Sequence, residues 1–247
     1  MDALPQVTPR VHQLDALRGV AVLMILFANI FAFGYPLEVA EQAGLSESMS
    51  LLPQLQHQDV RARTMQSMMV RYYIDQQHAE RVADMAATLA DQLHQQWNLA
   101  SFEGLAMLRS GALLHELGLL IEYKNHHHHG AYIISHAELP GFTRAQQQLV
   151  MALVHNHRAE IMPEVLARQT MTSVMLAGRL TRILRLAVIL SMRRRHEALP
   201  QVRLSVHNEC LNLSLPAGWL EQHPLMRAEL EQEVQYQQQA GWVLTIN

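Results

Sequence analysis

Hydrophobic residues follow different spacing rules in different parts of the chain. From Gly19 to Phe33 the residues GVAVLMILFANIFAF are apolar apart from Asn29, follow Arg10 and Arg18, and end at Gly34-Tyr35-Pro36. The run is shorter than the roughly 20 residues that span a bilayer, although Leu14 to Leu17 and Tyr35 to Leu37 extend it. Three readings stand: a membrane anchor with its N-terminus inside, a buried or interfacial helix, and a signal peptide, the last disfavoured because no small-residue cleavage site follows. The piece LDALRGVAVLMILFANIFAFGYP also resembles the opening helix of a family of uncharacterised multi-spanning bacterial membrane proteins, and nothing later in the chain does.

From about Gln58 apolar residues recur at helical intervals without long runs, which marks a soluble body. The periodicity predicts helices at 58–72, 75–95, 103–120, 128–136, 143–158 and 170–195. Asp75 and Thr143 stand where N-caps belong, and Pro140-Gly141 marks a turn. In the helix opened by Asp75, His78, Val82, Met85, Ala86 and Leu89 share one face, so His78 points inward. After Pro200 the period becomes two. Val202, Leu204 and Val206, then Leu211, Leu213 and Leu215, alternate with polar residues and predict two short strands; a helix at 217–238 and a third strand at 242–246 follow. The Gln/Glu-rich stretch from Glu229 to Gln239 is expected to be the solvated face of that helix. The fold class is mainly α: a hydrophobic N-terminal helix at 1–40, a linker at 41–56, a helical domain at 57–197 and a β-β-α-β unit at 198–247.

Composition narrows the choice of partners. The net charge is −3 and the pI near 6.6, so no global basic field exists to hold a nucleic acid by counterion release. The cations are almost all arginine, Lys124 being the only lysine, and arginine suits bidentate phosphate contacts. A single cysteine, Cys210, excludes an internal disulfide and a cysteine-rich zinc module, and accords with a reducing cytoplasm. The 15 histidines are unusual. The tract His126-His127-His128-His129 is internal and followed by an ordinary apolar pattern, so it belongs to the fold, with part of it expected in a solvated loop.

The candidate chemistry centres on His115-Glu116 in LRSGALLHELGLL, where Leu108, Ala112, His115 and Leu119 line an apolar face. A histidine and a carboxylate adjacent on a helix, with the inward His78 from the preceding helix, are the ligand types that hold a divalent metal. The arrangement resembles the HD superfamily of metal-dependent phosphohydrolases, which implies an HD-like helical domain and a divalent metal, magnesium or manganese, on His78, His115 and Glu116. Two positions depart from that pattern. Glu116 replaces an aspartate, and Val188, in ILRLAVILSM, stands where the closing aspartate belongs; a hydrocarbon cannot ligate a metal. Three readings of His78 and His115 stand: a retained polar site without hydrolytic activity, which is favoured, plain hydrogen-bonded core histidines, and a working metal centre. His155 and His157 in LVHNHR are further candidates.

Six ordered blocks, HQDVRARTM (57–65), IDQQHAERV (74–82), LLHELGLLIEY (113–123), HHHHGAYII (126–134), ELPGFTRAQQQLV (138–150) and LVHNHR (153–158), together resemble the C-terminal part of the exopolyphosphatase and guanosine pentaphosphate phosphohydrolase family (Ppx/GppA). The resemblance covers about residues 57–247, including the closing AGWVLTI. It implies phosphoanhydride hydrolysis of polyphosphate or pppGpp, with the catalytic glutamate and glycine-rich loops in an N-terminal actin-like pair of domains that this sequence lacks; its 11 glycines are scattered. It further implies that the C-terminal helical domain forms a homodimer and lines a basic channel, for which the matching positions are Arg61, Arg63, His127, His129, His157 and Arg158. Each of these is also readable as an ordinary surface or loop residue. Arg179, Arg182, Arg185 and Arg193-Arg194-Arg195 form a basic stripe that either binds a phosphate chain or is solvated. Three functions follow: a polyphosphate-binding and dimerisation module that is not active alone; an HD-type metal-dependent phosphohydrolase acting on a nucleotide or phosphate ester; and a non-functional gene-fusion fragment, suggested by the change of character near residues 40–57. The expected location is cytoplasmic, with attachment to the inner face of the membrane as the alternative in which the N-terminal helix is an anchor.

Overall fold

A computed structural model describes residues 60–99, 102–193 and 201–247. The apolar segment 19–33 and the linker at 41–56 lie outside the described residues. Among those described, no helix is long and apolar enough to cross a membrane.

The helices start where the side chains can satisfy their first backbone N–H groups. Helix α1 occupies residues 60–71. In α2 (Gln76–Leu93) the Asp75 carboxylate accepts the amide of His78 at 3.1 Å, and the face carrying His78, Val82, Ala86, Leu89 and Leu93 is buried. Helix α5 (Arg144–Asn156) begins with a capping box, in which Thr143 and Gln146 each bond the other's backbone N–H. Between them lie α3 (Phe102–Leu114), a short 3-10 turn (Leu117–Leu120) and α4 (His126–His136); after them come α6 (Pro163–Arg168) and α7 (Val174–Leu190), the latter capped by Ser173. Helices α2, α3, α5 and α7 enclose the core, with Leu89, Leu108, Leu153 and Leu184 each at most 2% exposed.

Two differences from the periodicity matter for the site. The helix expected at 103–120 ends at Leu114, so His115 and Glu116 occupy a turn rather than one helical face. The reason is steric. The chain brings Gly118 so close to α4 that a Cβ there would lie 2.0 Å from the His126 carbonyl oxygen, a backbone contact that only glycine accepts. Conversely, the helix expected from 128 begins at His126. The histidine run is therefore not a solvated loop; it is the first turn of α4, with His126 and His127 buried.

After Pro200, β1 (Arg203–His207) and β2 (Cys210–Ser214) form an antiparallel hairpin. Its two-residue turn holds Asn208 and Glu209 at φ 48° and 64°, the left-handed pair that a tight hairpin requires. Helix α8 (Pro224–Gln239) returns the chain so that β3 (Leu244–Ile246) lies parallel to β2, giving the order β1-β2-β3. Leu204, Leu211, Leu213 and Leu244 face the core.

Most of the Gln/Glu-rich stretch of α8 is solvated as expected, Glu229, Glu231, Gln232, Gln235, Gln238 and Gln239 being exposed, but Glu233 and Gln237 are buried, and so are Arg182 and Arg185 of the arginine stripe, whose Arg194 and Arg195 lie outside the described residues. On α8, Met226, Leu230, Glu233 and Gln237 form one buried face, and Arg182 and Arg185 of α7 meet it at 2% and 1% exposure. Arg185 donates to both Glu233 carboxylate oxygens at 2.7 Å and to the carbonyls of Asn156 (2.6 Å) and Ala159 (2.8 Å). Arg182 donates to Gln237 Oε1 at 2.8 Å and to the carbonyls of Glu209 and Val243; burial lowers its pKa to about 10, which leaves it charged at neutral pH. A guanidinium survives burial only when its fork of donors is matched, and the polar groups of α8 and these carbonyls match it. Arg182 and Arg185 thus act as internal struts.

Removing one member of the buried pair strands the other charge. We expect Glu233→Ala or Arg185→Ala to cost about 3–5 kcal/mol in denaturant unfolding, and the double replacement Arg185→Met with Glu233→Leu to recover much of it.

Candidate functional site

Six segments, four of them bearing a histidine, converge on one cavity of about 490 Å³, lined among others by His78, His115, Glu116, His126, His157 and Arg158. Each ring is placed by its own stretch of backbone. His78 is set by the N-cap at the start of α2. His115 follows the last turn of α3, and its Nδ1 lies 2.7 Å from the Ala112 carbonyl. His157 caps the C-terminus of α5 with Nδ1 2.6 Å from the Val154 carbonyl, and His126 opens α4 with Nδ1 2.8 Å from the Tyr123 carbonyl. A carbonyl only accepts, so at His115 and His157 the Nδ1–H donates to the carbonyl three residues earlier, and the neutral ring carries its lone pair on Nε2.

His78, His115 and Glu116 each offer one ligand atom, and these atoms lie within 4.8 Å of one another; all three residues are buried. His78 Nε2 stands 3.9 Å from Glu116 Oε1. Two imidazoles and a carboxylate fit a divalent ion of the zinc, iron or manganese type better than magnesium, which prefers an all-oxygen shell. Val188 lines the same cavity with its hydrocarbon side chain.

A second contact joins His126 and His157, whose Nε2 atoms are 3.3 Å apart. Arg158 places Nη1 3.0 Å from His126 Nδ1 and stacks its guanidinium 5.8 Å from the centre of the Tyr123 ring. That Nδ1 meets an acceptor in the Tyr123 carbonyl and a donor in Arg158, so it bonds one or the other according to the tautomer of the ring. Burial holds the pKa of His126 below the usual histidine value and that of His157 well below it, so neither ring adds positive charge at neutral pH. Among the described lining residues the fixed charges are then Glu116, Glu229 and Glu233 against Arg158 and Arg185, and Arg185 is already matched by Glu233.

Of the positions read as a phosphate channel, only His157 and Arg158 reach this cavity. Arg61 instead donates from Nε to the Gly141 carbonyl at 3.2 Å and stacks over Phe142, fastening the Pro140-Gly141 turn to α1. Arg63 is exposed on α1 and does not line the cavity. His127 packs among His128 and His155, while His129 faces Glu122 with Nε2 to Oε2 at 3.3 Å. The phase of α4 explains the substitution of one histidine for its neighbours. With the helix starting at His126, that residue and Gly130 share the face turned toward the 3-10 turn. Tyr123, Glu229 and Glu233 also line the site and carried no local signal in the sequence.

Comparison with known proteins accords with the fold. The profile of Ppx/GppA phosphatase, domain III, matches residues 60–234. A guanosine-5'-triphosphate,3'-diphosphate pyrophosphatase of Pseudoalteromonas translucida is 39% identical over 233 residues, covering 93% of this chain and 46% of the relative. Its counterpart in Aeromonas hydrophila is 42% identical over 226 residues, covering 91% of this chain and 45% of the relative. The chain thus spans about half the length of the curated relatives it matches. The matched share of this chain is more than residues 57–247 alone supply, so the likeness extends upstream across the place where the change of character suggested a family boundary.

Burial and the neighbouring His128 and Arg158 lower the pKa of His127 to about 3. Folded His127 therefore stays neutral while its unfolded counterpart gains a proton below about pH 6.5. Stability present above that pH is expected to fall as the pH drops from about 6.5 toward 3, with His126, His155 and His157 acting in the same direction. Denaturant unfolding across that range should show the slope, and His127→Leu should flatten it.

Proposed function

Because this chain belongs to the Ppx/GppA phosphatase family, we propose that its HD-like domain binds the phosphate chain of pppGpp or polyphosphate and pairs with a second copy of itself, hydrolysis being the task of other domains. The observation that carries the reading is Arg158. It is the one guanidinium among the described lining residues that is not already matched by a buried carboxylate, and the turn after α5 holds it at the cavity. A guanidinium offers two parallel N–H groups to a phosphate, and the exposed Tyr123 ring beside it presents a flat face of the kind on which a nucleobase stacks. The relatives' names, which specify guanosine-5'-triphosphate,3'-diphosphate, favour the guanosine nucleotide.

A second reading, an HD-type metal-dependent phosphohydrolase, is favoured by the spacing of His78, His115 and Glu116. These three would hold the ion, whose chemistry is Lewis-acid polarisation of a phosphoryl oxygen. His115→Ala would abolish its turnover.

Binding of pppGpp and of polyphosphate to the full chain, measured by equilibrium dialysis beside a phosphate-release assay with manganese or magnesium, tests the two. Binding without release is expected; release lost in His115→Ala would replace the first reading by the second. Arg158→Gln should weaken binding roughly 10- to 100-fold, the loss of hydrogen bonds to a charged partner, while leaving the unfolding midpoint close to that of the unsubstituted protein.

A further inference from the structure

We propose that Glu229 reads the base-pairing edge of a guanine, so that the cavity selects a guanosine nucleotide over other phosphate chains. Selection of this kind rests on the phosphate-binding reading above and adds to it the group that recognises the base.

One lining charge works against a ligand made only of phosphate. Glu233 is matched by Arg185, and Glu116 is buried with Oε1 3.9 Å from His78 Nε2. Glu229 differs from both. It is exposed on α8, lines the cavity, and has no hydrogen bond or ion pair among the described residues. The nearby Glu231 lies off the cavity, where it accepts from Arg227 Nε at 2.8 Å. Beside a bare phosphate chain a free carboxylate repels; beside a ligand that also carries N–H donors it is an acceptor in place.

The phase of α8 indicates which donors. Glu229, Gln232, Glu233 and Tyr236 line the cavity at i, i+3, i+4 and i+7, a single helical face. Arg185 takes up the inner part of that face, bonding Glu233 and standing 5.5 Å from the centre of the Tyr236 ring. Glu229 and Gln232, one turn apart and both exposed, are left to a ligand. Gln232 gives one amide N–H to Gln235 at 3.3 Å and keeps the other. Guanine matches this pair: its N1–H and N2–H are parallel donors for the two oxygens of a carboxylate, and its O6 accepts an amide N–H. Adenine presents an acceptor at N1, which would face the lone pairs of Glu229. Tyr123, 76% exposed, and Arg158 line the same cavity and supply the stacking face and the phosphate contact. Stacking together with hydrogen bonds to the base edge is how an unpaired base is read.

The test is equilibrium dialysis of the full chain with pppGpp, its adenosine counterpart pppApp, and inorganic polyphosphate. We expect pppGpp to bind roughly 10- to 100-fold more tightly than pppApp, the discrimination that a bidentate base contact provides. Glu229→Ala should abolish the preference, and Glu229→Gln should shift it toward pppApp, because a carboxamide matches the acceptor and donor of the adenine edge. Polyphosphate has no base and should bind both variants at least as well as the unsubstituted protein. Glu229 is exposed, so the unfolding midpoint should not move. Equal binding of the two nucleotides by the unsubstituted protein, or the same preference in both variants, would overturn base reading and leave phosphate binding standing. A parallel rise in affinity for all three ligands in the variants marks Glu229 as a solvated charge and overturns it equally. No binding of any of the three removes the phosphate reading itself, and base reading with it.

Discussion

The bidentate contact between Arg185 and Glu233 is the interaction on which the arrangement of this domain depends. Desolvating a guanidinium and a carboxylate is expensive, and the attraction between them offsets that cost only when the remaining donors find partners. Here they do: the donors that Glu233 leaves over go to the carbonyls of Asn156 and Ala159. Those two carbonyls bracket His157 and Arg158, so the same side chain that fastens α8 to α7 also fixes the turn that carries half of the site. Arg182, one turn earlier on α7, repeats the device toward Gln237 and the carbonyls of Glu209 and Val243. Apolar helix faces can slide past one another by a residue at small cost; two forked cations cannot, and they set the register in which α8 forms a wall of the cavity.

This arrangement explains why a histidine-rich pocket in a phosphate-related family is not simply basic. Buried imidazoles are neutral, and the arginines that composition offered as phosphate ligands are largely consumed by structure. What remains is a polar cavity in which Arg158 is the one lining guanidinium, among the described residues, that no buried carboxylate matches.

Local features of the fold were legible in the sequence because their causes are local. Asp75 and Thr143 cap helices as their positions require, His78 lies on the buried face its spacing indicates, and the alternating leucines after Pro200 form strands. The misreadings share a different cause. Glu233 and Gln237 resembled solvated residues because their partners, Arg185 and Arg182, lie 48 and 55 positions away. The histidine run resembled a loop, and 103–120 an unbroken helix, because the contact that breaks one and starts the other is between the backbones at Gly118 and His126. The resemblance to the Ppx/GppA family supplied the domain, but it could not say which histidine of four would face the cavity; helical phase decided that.

His115 and His157 each end a helix, α3 and α5, by donating to a carbonyl that the terminus would otherwise leave exposed. Each ring therefore serves two masters, the cavity through one nitrogen and the backbone through the other. A lineage that abandoned the chemistry would still lose helix stability by replacing either residue, so drift is slowed at these positions by architecture alone. The backbone thus holds these two imidazoles in place whatever use the cavity makes of their second nitrogen.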